Sequence, residues 1–167
     1  MKPWQAVAIL GLVSGLLLVA CVPAPKATPV PTPTFTPAPV PSPAVEITLP
    51  ADGAIVSMEE MIEGTSERVP AGSLIWVVVY VPAVGRYFPQ DNPADVQADG
   101  EWSSKATIGI ASNAGLQFDI RAVIADKDAQ DSFQKYLAQA KAAGSWSGLD
   151  RLPQGAVIYD RITVTRK

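Results

Sequence analysis

From Val45 onward the chain is written in short alternating runs. Val45-Glu46-Ile47-Thr48-Leu49 sets apolar against polar residues one by one, the period of a half-buried strand, and Pro50-Ala51-Asp52-Gly53 ends it with turn chemistry. Ala54 to Ser66 reads as the next extended region, with Ile55, Met58, Met61 and Ile62 as its apolar members, and Val69-Pro70-Ala71-Gly72 closes it. Leu74 to Val81 is apolar on both faces and rich in β-branched residues, the pattern of a central strand covered on two sides. Asp99-Gly100 marks a turn that leads into Trp102, Ala106 and Ile108. The clearest period of two follows, where Leu116, Phe118, Ile120, Ala122 and Ile124 alternate with Gln117, Asp119 and Arg121. Val157 to Thr165 sets Ile158, Ile162 and Val164 on one face of a last strand. Asp160 interrupts that face and calls for a bulge or a partner at the strand end.

Between the last two strands the period changes. Asp126 to Gly155 puts about thirty residues where a hairpin needs only a few, and insertions of that length are usually functional or disordered. Asp131-Ser132 reads as a helix start, Phe133, Tyr136, Leu137 and Ala140 share one face, and Gly144 is the stop. That apolar face has two uses open to it, packing on the strands or binding a partner.

About seven short strands, frequent turns and a tryptophan on the central strand predict an all-β fold. The expected architecture is an Ig-like β-sandwich of about seven strands with a short helical insertion before the last strand. The 123 residues 45–167 suffice for one such domain and its core. Three segments, Ile47-Thr48-Leu49-Pro50-Ala51-Asp52-Gly53-Ala54, Ile62-Glu63-Gly64-Thr65-Ser66 and Asp99-Gly100-Glu101-Trp102-Ser103, resemble bacterial Ig-like repeats of surface proteins in content, order and spacing. The resemblance implies adhesion, spacing or ligand presentation, and it brings no catalytic residues with it.

The first 44 residues are of another kind. Trp4 to Ala20 is free of charge and ends at Cys21, but it is short for a bilayer span of about 20 apolar residues; a cleaved signal segment 1–20 fits it better than an uncleaved anchor helix. Leu18-Val19-Ala20-Cys21 resembles the lipobox of bacterial lipoproteins, which implies lipidation of the Cys21 sulfur and cleavage just before it. A thiolate is the soft nucleophile such an alkylation needs, and this chain has one cysteine. Each buried methylene contributes about 0.8 kcal/mol, so two or three acyl chains hold a protein where one would not. Residues 21–44 then form a linker. Nine of the sixteen prolines lie in its 23 residues after Cys21, interleaved with threonine, which favours a polyproline II stalk of up to roughly 70 Å and also suits O-glycosylation. The expected location is lipid-anchored on the cell membrane or outer membrane, facing outside the cytoplasm. The Asp126 to Gly155 insertion should lie at the end where the stalk enters, toward the membrane.

Composition narrows the chemistry. The chain has no histidine, and no cysteine remains once Cys21 carries lipid, so Ser-His-Asp and Cys-His catalysis, His or Cys zinc sites and disulfides are all unavailable. Beyond Lys26, 11 basic residues face 16 acidic ones, a net charge of −5 that disfavours nucleic acid. Ser132-Phe133-Gln134-Lys135 has the S-x-x-K form of an activated serine but lacks the companion elements. The Glu59 and Glu63 pair reads as solvated charge. Asp126, Asp128 and Asp131 are weak calcium candidates, since helix capping already explains acids there. No cofactor is expected. What remains is a non-enzymatic binding module for an unknown protein or glycan, with Arg86, Tyr87, Phe88 and Trp146 as candidate binding residues; the alternative is a carbohydrate-binding module stacking exposed aromatics on sugar rings. Trp102 is expected in the core. A Cys21→Ser chain is expected to accumulate as unprocessed precursor with no lipid label, which metabolic labelling with a fatty acid checks; undiminished incorporation contradicts the lipobox reading.

Overall fold

The computed structural model describes residues 41–167, so the signal segment, Cys21 and the stalk as far as Val40 lie outside the described residues. Along the chain run β1 (Ala44–Leu49), β2 (Ile55–Val56), β3 (Glu59–Glu67), β4 (Leu74–Val81), β5 (Arg86–Pro89), β6 (Asp95–Val96), β7 (Glu101–Thr107), β8 (Gln117–Ala125) and β9 (Ala156–Arg166), with helix α1 (Lys127–Ala143) between the last two strands. One sheet has the order β1-β3-β7-β6 and the other β2-β9-β8-β4-β5, so the fold is an all-β sandwich with one helical insertion. Pairing is antiparallel throughout except for β2, which lies parallel to the end of β9. Seven strands have four residues or more; β2 and β6 are the short edge pieces that turn signals alone do not reveal.

The inner faces follow the alternation. Val45, Ile47, Ile62, Trp102 and Ala106 of the first sheet meet Ile75, Val77, Val79, Phe118, Ile120, Ile162 and Val164 of the second. Trp102 is buried as expected, and its indole N–H donates to the Thr65 carbonyl at 3.0 Å, which satisfies the one polar atom it brings inside. A second core lies on the outer face of the five-stranded sheet. There Trp76, Val78, Val123 and Ala125 are covered by Ala129, Phe133, Tyr136, Leu137 and Ala140 of α1, with the Trp76 and Phe133 rings 5.1 Å apart. This is why Leu74 to Val81 is apolar on both sides. Of the two uses open to the helix face, packing is the one realised.

The helix begins at Lys127, about one turn before the expected Asp131-Ser132 start. Asp126 is the cap, accepting the Ala129 N–H at 2.9 Å, and buried Ala129 already belongs to the apolar face. A single small alanine among charged neighbours is too faint a signal to extend the pattern backward. The stop falls at Gly144 as predicted, in the left-handed region at φ 62°.

Two expectations for the flanking strands need correction. Leu116 lies before β8 and is exposed, so the inner face starts at Phe118. In β9 the register shifts opposite Ala122 and Val123, leaving Tyr159 in a bulge. The extra residue moves Ile158 to the helix side opposite Val123, away from Ile162 and Val164. Asp160 thereby keeps an inward position at the seam between the sheets. Its Oδ2 accepts the Ile47 N–H of β1 at 2.7 Å and its Oδ1 accepts the Arg161 N–H at 2.7 Å.

The chain enters where the insertion begins. Ala44 pairs with Glu67 at the end of β3, and the loop that follows offers its Gly72 carbonyl to the Gln130 side chain of α1 at 3.0 Å. Replacing Asp160 with alanine removes a charged acceptor and leaves the Ile47 N–H unpaired, so stability measured by urea unfolding should fall by about 1.5–3 kcal/mol, and by less for Asp160→Asn. An unchanged midpoint would show that the seam does not depend on this carboxylate.

Candidate interaction surface

Arg86, Tyr87 and Phe88 belong to a strand. Residues 82–85 turn the chain back, with the Gly85 N–H donating to the Val81 carbonyl at 2.9 Å, and β5 pairs with β4 as the edge of the five-stranded sheet. Strand alternation then separates the two aromatics. Phe88 packs against the inner core, while Tyr87 turns to the outer face, where its hydroxyl accepts from Arg121 at 3.2 Å.

The return of the insertion closes over this edge. Leu149 forms an antiparallel bridge with Tyr87, with backbone bonds of 2.8 and 3.0 Å in the two directions, and Arg86 pairs with Asp150. Gly148 makes the approach possible, because a Cβ there would lie 2.8 Å from both the Arg86 Cβ and the Phe88 ring, at a φ of +70°. Two residues earlier, Trp146 rests edge-on against Tyr136 at 6.4 Å and leaves 49% of its surface exposed. All four candidate binding residues therefore gather at one sheet edge. They do not form one flat aromatic row, because Tyr87 and Phe88 face opposite ways and only Trp146 is widely exposed.

The acidic candidates each have local work. Asp126 caps α1, Asp131 pairs with Lys127 at 3.1 Å, and Asp128 lies in the first turn, where a negative charge suits the helix dipole. Among the described residues no three His, Cys, Asp or Glu side chains converge as metal ligands. Ser132 donates to the Asp128 carbonyl at 2.8 Å, a bond back into its own helix. Glu59 pairs with Lys105 at 2.8 Å, while Glu63 lines a shallow groove with Thr48, Glu101 and Ser103. A larger open groove of about 530 Å³ lies between Ser132 of α1 and Leu149 to Gln154 of the return segment.

One cluster escaped the sequence reading. On β8, Asp119 and Arg121 point to the outer face yet are buried, joined at 3.0 Å. The Arg121 guanidinium lies 4.2 Å from the centre of the Tyr80 ring and 5.1 Å from that of Tyr87. Opposite charges two residues apart on one strand face were the available signal, but the register that adds the tyrosines is not written locally. Comparison with protein-family models and with curated protein sequences finds no match for the chain.

Burial raises the Tyr136 phenol above its usual value near 10.0, outweighing the Gly148 N–H that its oxygen accepts at 3.0 Å. The folded form therefore favours the neutral phenol. That stabilisation is complete below pH 10 and is lost as pH rises through the folded value. Thermal unfolding is expected to show stability falling above about pH 10, with a shallower fall in Tyr136→Phe; identical alkaline profiles would contradict this.

Proposed function

We propose that the chain is a lipid-anchored, extracytoplasmic β-sandwich that binds or positions another component of the cell envelope without catalysing a reaction. Leu18-Val19-Ala20-Cys21 supports a lipid anchor at Cys21, and the proline-threonine linker supports a stalk that holds the domain off the bilayer. The strand order supports an Ig-like assignment: β1-β3-β7-β6 against β2-β9-β8-β4-β5 follows the A-B-E-D and G-F-C order of immunoglobulin sandwiches, with β5 added at one edge of the second sheet and the short β2 at the other.

The observation that carries the binding reading is the way Trp146 is held. Its segment is fastened on one side by the Tyr136 contact and on the other by the Leu149 bridge and the Arg86 to Asp150 pair, so an exposed indole stands on a rigid support. Tryptophan and arginine on fixed supports are the residue types that dominate binding energy at protein interfaces. The carbohydrate alternative rests on Trp146 alone, since the neighbouring rings do not extend its plane.

Removing the insertion is a poor test, because it would uncover Trp76, Val78 and Val123. A photoreactive benzophenone side chain at position 146, compared with one at the exposed Ser112 in the loop between β7 and β8, is the better one. In the native host, crosslinked adducts are expected from position 146 and not from position 112. Equal yields from both, or none from position 146, would contradict the site. A shift of Trp146 fluorescence on titration with envelope polysaccharide would favour the sugar reading.

A further inference from the structure

We infer that neighbouring anchored copies of this chain contact one another side by side, the acidic outer face of the four-stranded sheet in one copy against the tyrosine-arginine face of the five-stranded sheet in the next. The inference rests on the anchored reading above, because it needs every copy to be tethered from the same end.

The first of these faces carries unbalanced negative charge. Glu46, Glu63, Asp95 and Glu101 are exposed on the outward side of β1, β3, β6 and β7, and none of them has an ion-pair partner among the described residues. Lys105, the cation within that face, is taken by Glu59 at 2.8 Å.

The second face is built differently. Helix α1 covers the half of the outer face around Trp76 and Val123 and leaves the other half open. In that open half two cross-strand rows run side by side, Tyr87-Tyr80-Asp119-Thr163 and Arg121-Arg161. Both arginines turn toward a single carboxylate, with Arg121 at 3.0 Å and Arg161 at 4.0 Å from Asp119 Oδ2. One carboxylate balances one guanidinium, so the other charge is surplus, and Arg161 holds it outward with 61% of its side chain exposed. Arg121 meanwhile is held under two tyrosine rings with its Nε unpartnered, an expensive arrangement for a sheet face that solvent alone would cover. Rigid tyrosines around a surplus guanidinium suit a flat acidic partner, and the other side of this same domain is one.

The two faces lie on opposite sides of the sandwich, and the chain enters at one end. Copies tethered from that same end of the domain can therefore meet acidic face to basic face by simple translation. Such a contact is heterologous and does not close, so it makes rows rather than dimers. With strands about 4.8 Å apart and about 3.3 Å per residue, the open half-face covers roughly 300 Å². A stable interface buries roughly 800 Å² on each partner, so this contact is weak and depends on the crowding that a shared membrane supplies.

The test uses the mature lipidated chain in vesicles, with donor and acceptor fluorophores on separate copies. Energy transfer is expected to exceed that of a lipid-anchored fluorescent protein at equal density, to fall as salt screens the contact, and to be lost in Arg161→Glu. Combining Arg161→Glu with Glu46→Lys, Glu63→Lys and Glu101→Lys in one chain should restore it, because both faces are then reversed in every copy and again match. Arg161 is exposed, and unchanged thermal unfolding of its variant confirms that the fold is intact. Transfer no greater than the control at any density, or undiminished in Arg161→Glu, would overturn the lateral contact. Failure of the chain to take up lipid at Cys21, measured separately, would instead overturn the anchoring on which it rests.

Discussion

The architecture depends on one act of burial, the covering of Trp76, Val78 and Val123 by the apolar face of α1. A sheet normally buries one face in a sandwich and leaves the other wet. Here β4 and β8 are buried on both faces near the chain entry, and the helix that does the covering must come from within about thirty residues of the same chain. Once α1 is seated, the segment after it is committed to return across the β5 edge. Tyr136 then holds Gly148, Leu149 pairs with Tyr87, and Trp146 is left at the surface. The candidate surface is therefore a consequence of the second core.

The same economy governs the open edges. An unpaired strand edge invites pairing with another chain. The β5 edge is met by Leu149, and β2 covers the end of β9. Earlier in β9 a bulge at Tyr159 and the inward carboxylate of Asp160 break the ladder, and Asp160 takes up the Ile47 N–H that β1 turns toward the seam. A charge that looks misplaced on an apolar face thus joins the two sheets.

Much of this was legible from local pattern. The period of two in Phe118, Ile120, Ala122 and Ile124 and the doubly apolar run from Leu74 to Val81 found the strands that matter most. Phe133, Tyr136, Leu137 and Ala140 found the helix face, and Asp160 called for a bulge or a strand-end partner, of which the bulge falls one residue before it at Tyr159. What escaped depends on register and tertiary contact. Ala129 gave too little apolar signal to move the helix start to Lys127, and the bulge reversed the side of Ile158. The Arg121, Tyr80 and Tyr87 cluster needs three strands in one alignment, and the meeting of Arg86 with Asp150 joins residues far apart in the chain. Neither is encoded in spacing.

If the second core is what fastens the candidate surface, weakening it should release that surface as a unit. Native-state hydrogen exchange of Phe133→Ala measures this directly, since the lost ring opens a cavity beside Trp76 worth about 3–5 kcal/mol. The account predicts that protection falls together in α1 and at the Leu149 and Tyr87 amides, while β1, β3 and β7 keep theirs. Loss confined to α1, with Leu149 and Tyr87 still protected, would contradict it.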